Sequence, residues 1–106
     1  VWLIPASCGR QLLLLLVLSP VLEELVLRAG LQEWLIRRLP AARVLPVLVS
    51  AAAFGLLHWR SGWPHALAVT VPGLALALLY QRTRSWCWCA CVHSAMNAFA
   101  ISVCSL

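Results

Sequence analysis

Four stretches of apolar residues follow one another along the chain, each long enough for a helix and each parted from the next by a short polar or proline-containing gap. The first begins near Gln11 and runs past Glu24, with Pro20 expected to bend it and Gly30 offering a place for it to break. Beyond Gly30, an apolar face of Leu31, Trp34, Leu35 and Leu39 opposes Gln32, Glu33, Arg37 and Arg38. That pattern predicts a tail lying along an interface. Pro40 ends it, and the second helix is expected over residues 42–58, with Pro46 tolerated near its first turn. A third helix is expected over 64–80, with Pro72 and Gly73 in its middle, where a freed backbone group must find a partner on a neighbouring helix. Residues 81–85 form a polar turn, and 86–105 make the fourth helix.

Composition turns this helical pattern into a membrane protein. With 63% hydrophobic residues, 10% charged residues and a mean hydropathy of +0.92, the chain has too little polar surface to cover a soluble domain of 106 residues. Roughly 20 apolar residues are needed per crossing, so four helices use nearly the whole length. The expectation is an all-α, polytopic bundle of about four transmembrane helices, a single unit over residues 1–106. A chain that starts at Val1 without a signal peptide reads as the C-terminal core of a longer bundle.

All eight basic residues are Arg, and they fall mostly in the gaps. They act as topology signals, which argues against a nucleic-acid partner. Arg37, Arg38, Arg43, Arg82 and Arg84 lie on one side and Arg10 and Arg60 on the other, so the five-Arg side is expected in the cytoplasm. Trp34, Trp59, Trp63, Trp86 and Trp88 mark helix ends at the headgroup level. The five Cys are odd in number, and Cys87, Cys89 and Cys91 sit in one apolar segment. They suggest packing residues, with 87 and 91 on one helix face and 89 on another, more than a disulfide framework, a metal site or acylation.

Against this background, ionisable groups inside apolar stretches need a reason. Glu24 and Arg28 are one turn apart, acid first, so Arg28 is expected to neutralise Glu24. Glu23, rotated about 100° away, has no such partner and is left as a candidate general base, with His58 as a donor. His93 and Asn97 share a face of the fourth helix and offer an N–H and an amide toward a developing oxyanion. Phe54 and His58 repeat the spacing on the second helix, where the two rings can pack together. A structural lock or a transport path would use the Glu–Arg pair equally well, and His65 is expected at the interface without a partner. Straight helices also set a difficulty of depth: counted from the Arg-rich side, His93 lies roughly 10 Å in and His58 roughly 24 Å in. A shared site requires tilt, a break near Gly30 or Pro46, or a second helix that starts outside the membrane.

Three short runs, Glu23-Glu24-x-x-x-Arg28, Phe54-x-x-x-His58 and His93-x-x-x-Asn97, occur in the order and at the separations of the CPBP family of glutamic intramembrane proteases, also called the Abi or type II CAAX endopeptidase family. The chain resembles that family along nearly its entire length. Gly73 and the segment at 78–86 agree with it, while Arg84 stands where Gly is frequent.

The resemblance implies a multi-pass protein of the bacterial cytoplasmic membrane that hydrolyses a peptide bond without a cofactor. Glu23 and His58 would activate water, and His93 and Asn97 would hold the oxyanion. Glu24 and Arg28 would support the site, with Phe54 beside them. The substrate would be a membrane-associated peptide or protein, prenylated or carrying a sorting tail. Two other readings stand beside it. One is a zinc metalloprotease using Glu23, His58 and His93, although the chain lacks a compact His-Glu-x-x-His run. The other is a non-enzymatic immunity or scaffold protein, which needs no paired donors facing Glu23.

Overall fold

The computed structural model describes the backbone of residues 14–105 and the side chains of residues 16–100. The expected start of the first helix near Gln11, and Arg10, lie outside the described residues. Among those described, the fold is all-helical and has four rods. We label as α1 the unbroken run through Leu14–Leu18, Ser19–Glu24, Leu25–Gln32 and Glu33–Arg38, as α2 Leu45–Leu56, as α3 Trp63–Thr83 and as α4 Trp86–Ser105. Only α3 is long and apolar enough to cross a membrane by length and composition among the described residues; α2 is apolar but has 12 residues.

Neither Pro20 nor Gly30 breaks α1. The helix instead widens into π turns over Leu14–Leu18 and again over Leu25–Gln32. Pro20 has no N–H to return to the Leu16 carbonyl four residues back, and the Ser94 hydroxyl of α4 donates to that carbonyl. The second widening holds Arg28 and Gln32, both fully buried, on the face toward α3. There Arg28 donates to the Gly73 carbonyl at 2.8 Å, and Gln32 to the Ala77 carbonyl at 2.9 Å. Two donors four residues apart thus meet two carbonyls four residues apart, so α1 and α3 run parallel in a fixed register.

The helix expected over 42–58 is shorter at both ends. It starts at Leu45, one residue before Pro46, and finishes at Leu56. The chain then turns through a short 3-10 segment, Trp59–Ser61, and Gly62, whose φ of 104° is open to glycine at little cost. Pro64 sits in the first turn of α3. α2 and α3 pack closely because glycines remove side chains where they meet. A Cβ on Gly55 would lie 2.2 Å from the Thr70 hydroxyl oxygen, and one on Gly73 would lie 2.5 Å from Cδ2 of Phe54.

α3 ends at Arg84 in a left-handed conformation (φ 55°), and Ser85 caps α4 by accepting from the Trp88 N–H at 3.4 Å. On α4, Cys89 is buried against the Leu76 carbonyl while Cys87 and Cys91 are exposed, as their spacing predicts. Leu76, Tyr80 and Cys89, with Ile36, Trp86 and Met96 against them, form the core between α1, α3 and α4.

The Arg-rich end is tied by Glu33. This carboxylate accepts from Arg37 on its own helix, from the Tyr80 hydroxyl at 2.6 Å and from both Nε and Nη2 of Arg84. The tail expected to lie along an interface is thus bonded to the end of α3.

Candidate active site

The site lies where α1 and α4, near mid-length, meet the last turn of α2. Glu24 projects from α1 into the bundle and is fully buried, as is Arg28 one turn on; their Oε1 and Nε atoms are 3.1 Å apart. A buried guanidinium beside one carboxylate needs further partners, since an unpaired charge in low dielectric is costly. Arg28 finds them in the Gly73 carbonyl and in the face of the Phe54 ring, whose centroid is 5.4 Å from its Cζ.

His93, 5% exposed, stands between the two carboxylates. Its Nδ1 is 2.8 Å from Glu24 Oε2 and its Nε2 is 3.6 Å from Glu23 Oε1. A carboxylate can only accept, so Nδ1 donates, and Nε2 is the atom turned toward Glu23. Glu23 is more open than Glu24, with 24% of its side chain exposed against 0%. Its Oε2 accepts from the Ser19 hydroxyl one turn earlier at 2.8 Å, while Oε1 is left toward His93.

Phe54 joins the two imidazoles. Its ring meets His93 edge-on at 5.3 Å between centroids and His58 in a tilted contact at 5.0 Å. The ring can sit there because Gly73 presents no Cβ. His58, half-buried, is bonded through Nδ1 to the Phe54 carbonyl at 2.9 Å. No hydrogen bond or ion pair joins His58 to Glu23, so the direct donor role expected of His58 is not made in this arrangement. Asn97 lies half-buried on α4, one turn beyond His93.

The depth difficulty shrinks because Phe54, and not His58, reaches α4. Counting about 1.5 Å per residue, Phe54 is roughly 14 Å from the start of α2 and His93 roughly 10 Å from the start of α4, a gap that two side chains close. His65, expected to stand alone, lies 5.9 Å from His58 between ring centroids. Sequence reasoning passed over Ser19, and it put Gln32 on the polar face of the tail, whereas Gln32 is fully buried against α3. Ser19 falls four residues before Glu23, a spacing that carries the signal once a helix is assumed.

Electrostatically, the buried centre holds two carboxylates, one guanidinium and one imidazole. Glu24 is held by Arg28 and His93, and Glu23 is the more exposed of the two carboxylates. Among the described residues no three His, Cys, Asp or Glu side chains are grouped as a metal site would require. The Glu23, His58 and His93 set of the zinc reading is not assembled, since the Phe54 ring lies against both imidazoles.

The chain matches the family model described as type II CAAX prenyl endopeptidase Rce1-like over residues 6–99. It belongs to that family. No curated protein and no solved structure matches it. All three motif runs fall inside the matched region, as do the first three rods entirely and α4 as far as residue 99. The Rce1-like family is a membrane-embedded, CAAX-type protease family, in keeping with the apolar composition and with α3 as a candidate span.

Proposed function

We propose that this Rce1-like protein is an intramembrane endopeptidase that hydrolyses a peptide bond in a membrane-associated or lipid-modified precursor, using water activated by Glu23. The observation that carries the reading is the placement of His93, which is fixed by Glu24 through one ring nitrogen and turned toward Glu23 by the other.

In this reading Glu23 takes a proton from water as the oxygen attacks the scissile carbonyl carbon, and the carbonyl π pair moves onto oxygen. With a proton on each ring nitrogen, His93 donates from Nδ1 to Glu24 and from Nε2 to the oxyanion, and Asn97 adds its amide. The C–N bond then breaks as Glu23 returns the proton to the leaving amine. His58 acts at the edge of the site, held by the Phe54 ring and carbonyl. Glu24 and Arg28 are positioning residues, and the protein works as a multi-pass unit of the cytoplasmic membrane.

Glu23→Gln keeps size and hydrogen bonding but removes the base. Cleavage of a prenylated or sorting-tail peptide by the purified protein should fall at least about a hundredfold, with abundance and melting unchanged. Chelator should leave the wild-type rate intact. An active Glu23→Gln protein overturns the general-base assignment, and activity lost to chelator and restored by zinc moves the chemistry to a metal.

A further inference from the structure

Ser19 lies outside the three motif runs and is unused by the proposed reaction. It stands one turn before Glu23 on α1, and because helix side chains lean toward the N-terminus, the Glu23 carboxylate folds back over it. A hydroxyl has one proton to give. Inside a helix that proton commonly goes to a carbonyl one turn back, as Thr70 gives it to Ala66 and Thr83 to Leu79. Ser19 gives it forward instead, to Glu23 Oε2 at 2.8 Å. A hydroxyl donating to a carboxylate makes one of the stronger hydrogen bonds, and this one is half-buried.

The two oxygens of Glu23 are thereby made unequal. Oε2 is occupied by Ser19, whereas Oε1 is buried, accepts no hydrogen bond among the described residues and lies 3.6 Å from His93 Nε2. We propose that Ser19 is a positioning residue of the hydrolytic step: it holds the Glu23 side chain in one orientation and reserves Oε1 as the oxygen that takes the proton. This deepens the proposed function and rests on Glu23 as the general base. One O–H bond of water breaks and its proton moves to Oε1, while the water oxygen bonds to the scissile carbon and the carbonyl π pair moves onto oxygen. Glu23 is then a neutral acid whose Oε2 is its carbonyl oxygen, still an acceptor, so the Ser19 bond persists through both halves of the reaction. Oε1 gives the proton to the leaving nitrogen as the C–N bond breaks. Without the hydroxyl, a carboxylate on a side chain 24% exposed is free to turn away. A reacting group misplaced by about 1 Å can cost on the order of a hundredfold in rate.

The test measures kcat and KM separately on a prenylated CAAX peptide, with the purified full chain in detergent. Ser19→Ala removes only the hydroxyl and improves helix propensity, so the melting temperature should hold. Its kcat should fall at least about tenfold with KM unchanged. Ser19→Thr, which restores the donor at the same turn, should recover most of the lost rate. Ser19→Cys, close in size but a weak donor, carries the same comparison should the alanine variant fold poorly. Wild-type kcat in Ser19→Ala, a loss carried by KM instead of kcat, or a folded Ser19→Thr protein no faster than Ser19→Ala overturns the assignment. Glu23→Gln in the same assay separates the two failures. With Glu23→Gln inactive and Ser19→Ala fully active, the base stands and Ser19 falls; with Glu23→Gln active, both fall.

Discussion

Arg28 has the most to lose from a single change. Its guanidinium is fully buried, and it is the counter-charge of an equally buried Glu24. Arg28→Ala strands that carboxylate, and breaking one side of a buried pair typically costs about 3–5 kcal/mol. The expected outcome is low abundance and a lowered melting temperature in detergent, measured beside Glu23→Gln, which should melt like wild type. Gly73→Ala tests the opposite case, an added atom. A Cβ there meets Phe54 at 2.5 Å, so the ring must move at a cost of about 1–3 kcal/mol. Since Phe54 touches both imidazoles, kcat should fall further than the melting temperature alone would explain.

Between elements, polar bonds set register in a bundle whose apolar side chains pack without direction. Ser94 and Pro20 illustrate this: the proline removes an N–H from α1 and the hydroxyl donates to the Leu16 carbonyl. Ser94→Ala should cost about 1–3 kcal/mol in the native background and clearly less in a Pro20→Ala background, where the N–H returns. A denaturation-based double-mutant cycle measures the coupling, and additive effects would contradict it. At the other end, hydrogen bonds from Arg84, then those from Tyr80 and Arg37, hold the Glu33 carboxyl well below the usual carboxylate range, at about 2. A folded-state pKa below the unfolded one gives stability that is complete above the ordinary carboxylate range and is lost as pH falls through about 2. Melting temperatures followed from pH 5 downward, at roughly half-unit steps, should drop more steeply in wild type than in Glu33→Gln.

For the whole molecule, Gln81 reaching the Arg43 carbonyl and Arg84 bonding Glu33 gather residues 33, 43 and 84 at one end, with Trp59 to Gly62 at the other. Reporters fused at 41 and 83 should therefore score the cytoplasmic side and one at 61 the opposite side; equal scores at 41 and 61 would remove α2 as a crossing. This architecture was largely legible in the sequence. Prolines, tryptophans and Arg clusters marked the gaps, and the four-residue spacing of Glu24 with Arg28 gave the buried pair directly. The depth of the site was not legible, because counting residues assumes helices that begin flush with one plane. α2 begins three residues later than its apolar pattern suggests. Nor does any pattern announce π widening over Leu25–Gln32, where Arg28 and Gln32 meet α3 carbonyls brought near by the rest of the fold. The His58–His65 contact was missed because it depends on the turn at Gly62.

The 12 residues of α2 have a consequence for the surrounding lipid. At about 1.5 Å per residue the helix measures roughly 18 Å, against a hydrocarbon layer of about 30 Å. Its neighbour α3, with 21 residues, matches that layer. A crossing at α2 would require the bilayer beside it to thin, or headgroups and water to dip toward His58, at a cost that grows with each ångström of mismatch. On the proposed activity, acyl-chain length would then act as a control. Reconstituted into phosphatidylcholine of increasing chain length, the protein should lose activity as the membrane thickens, and a rate indifferent to lipid length would mean that α2 is shielded from lipid altogether.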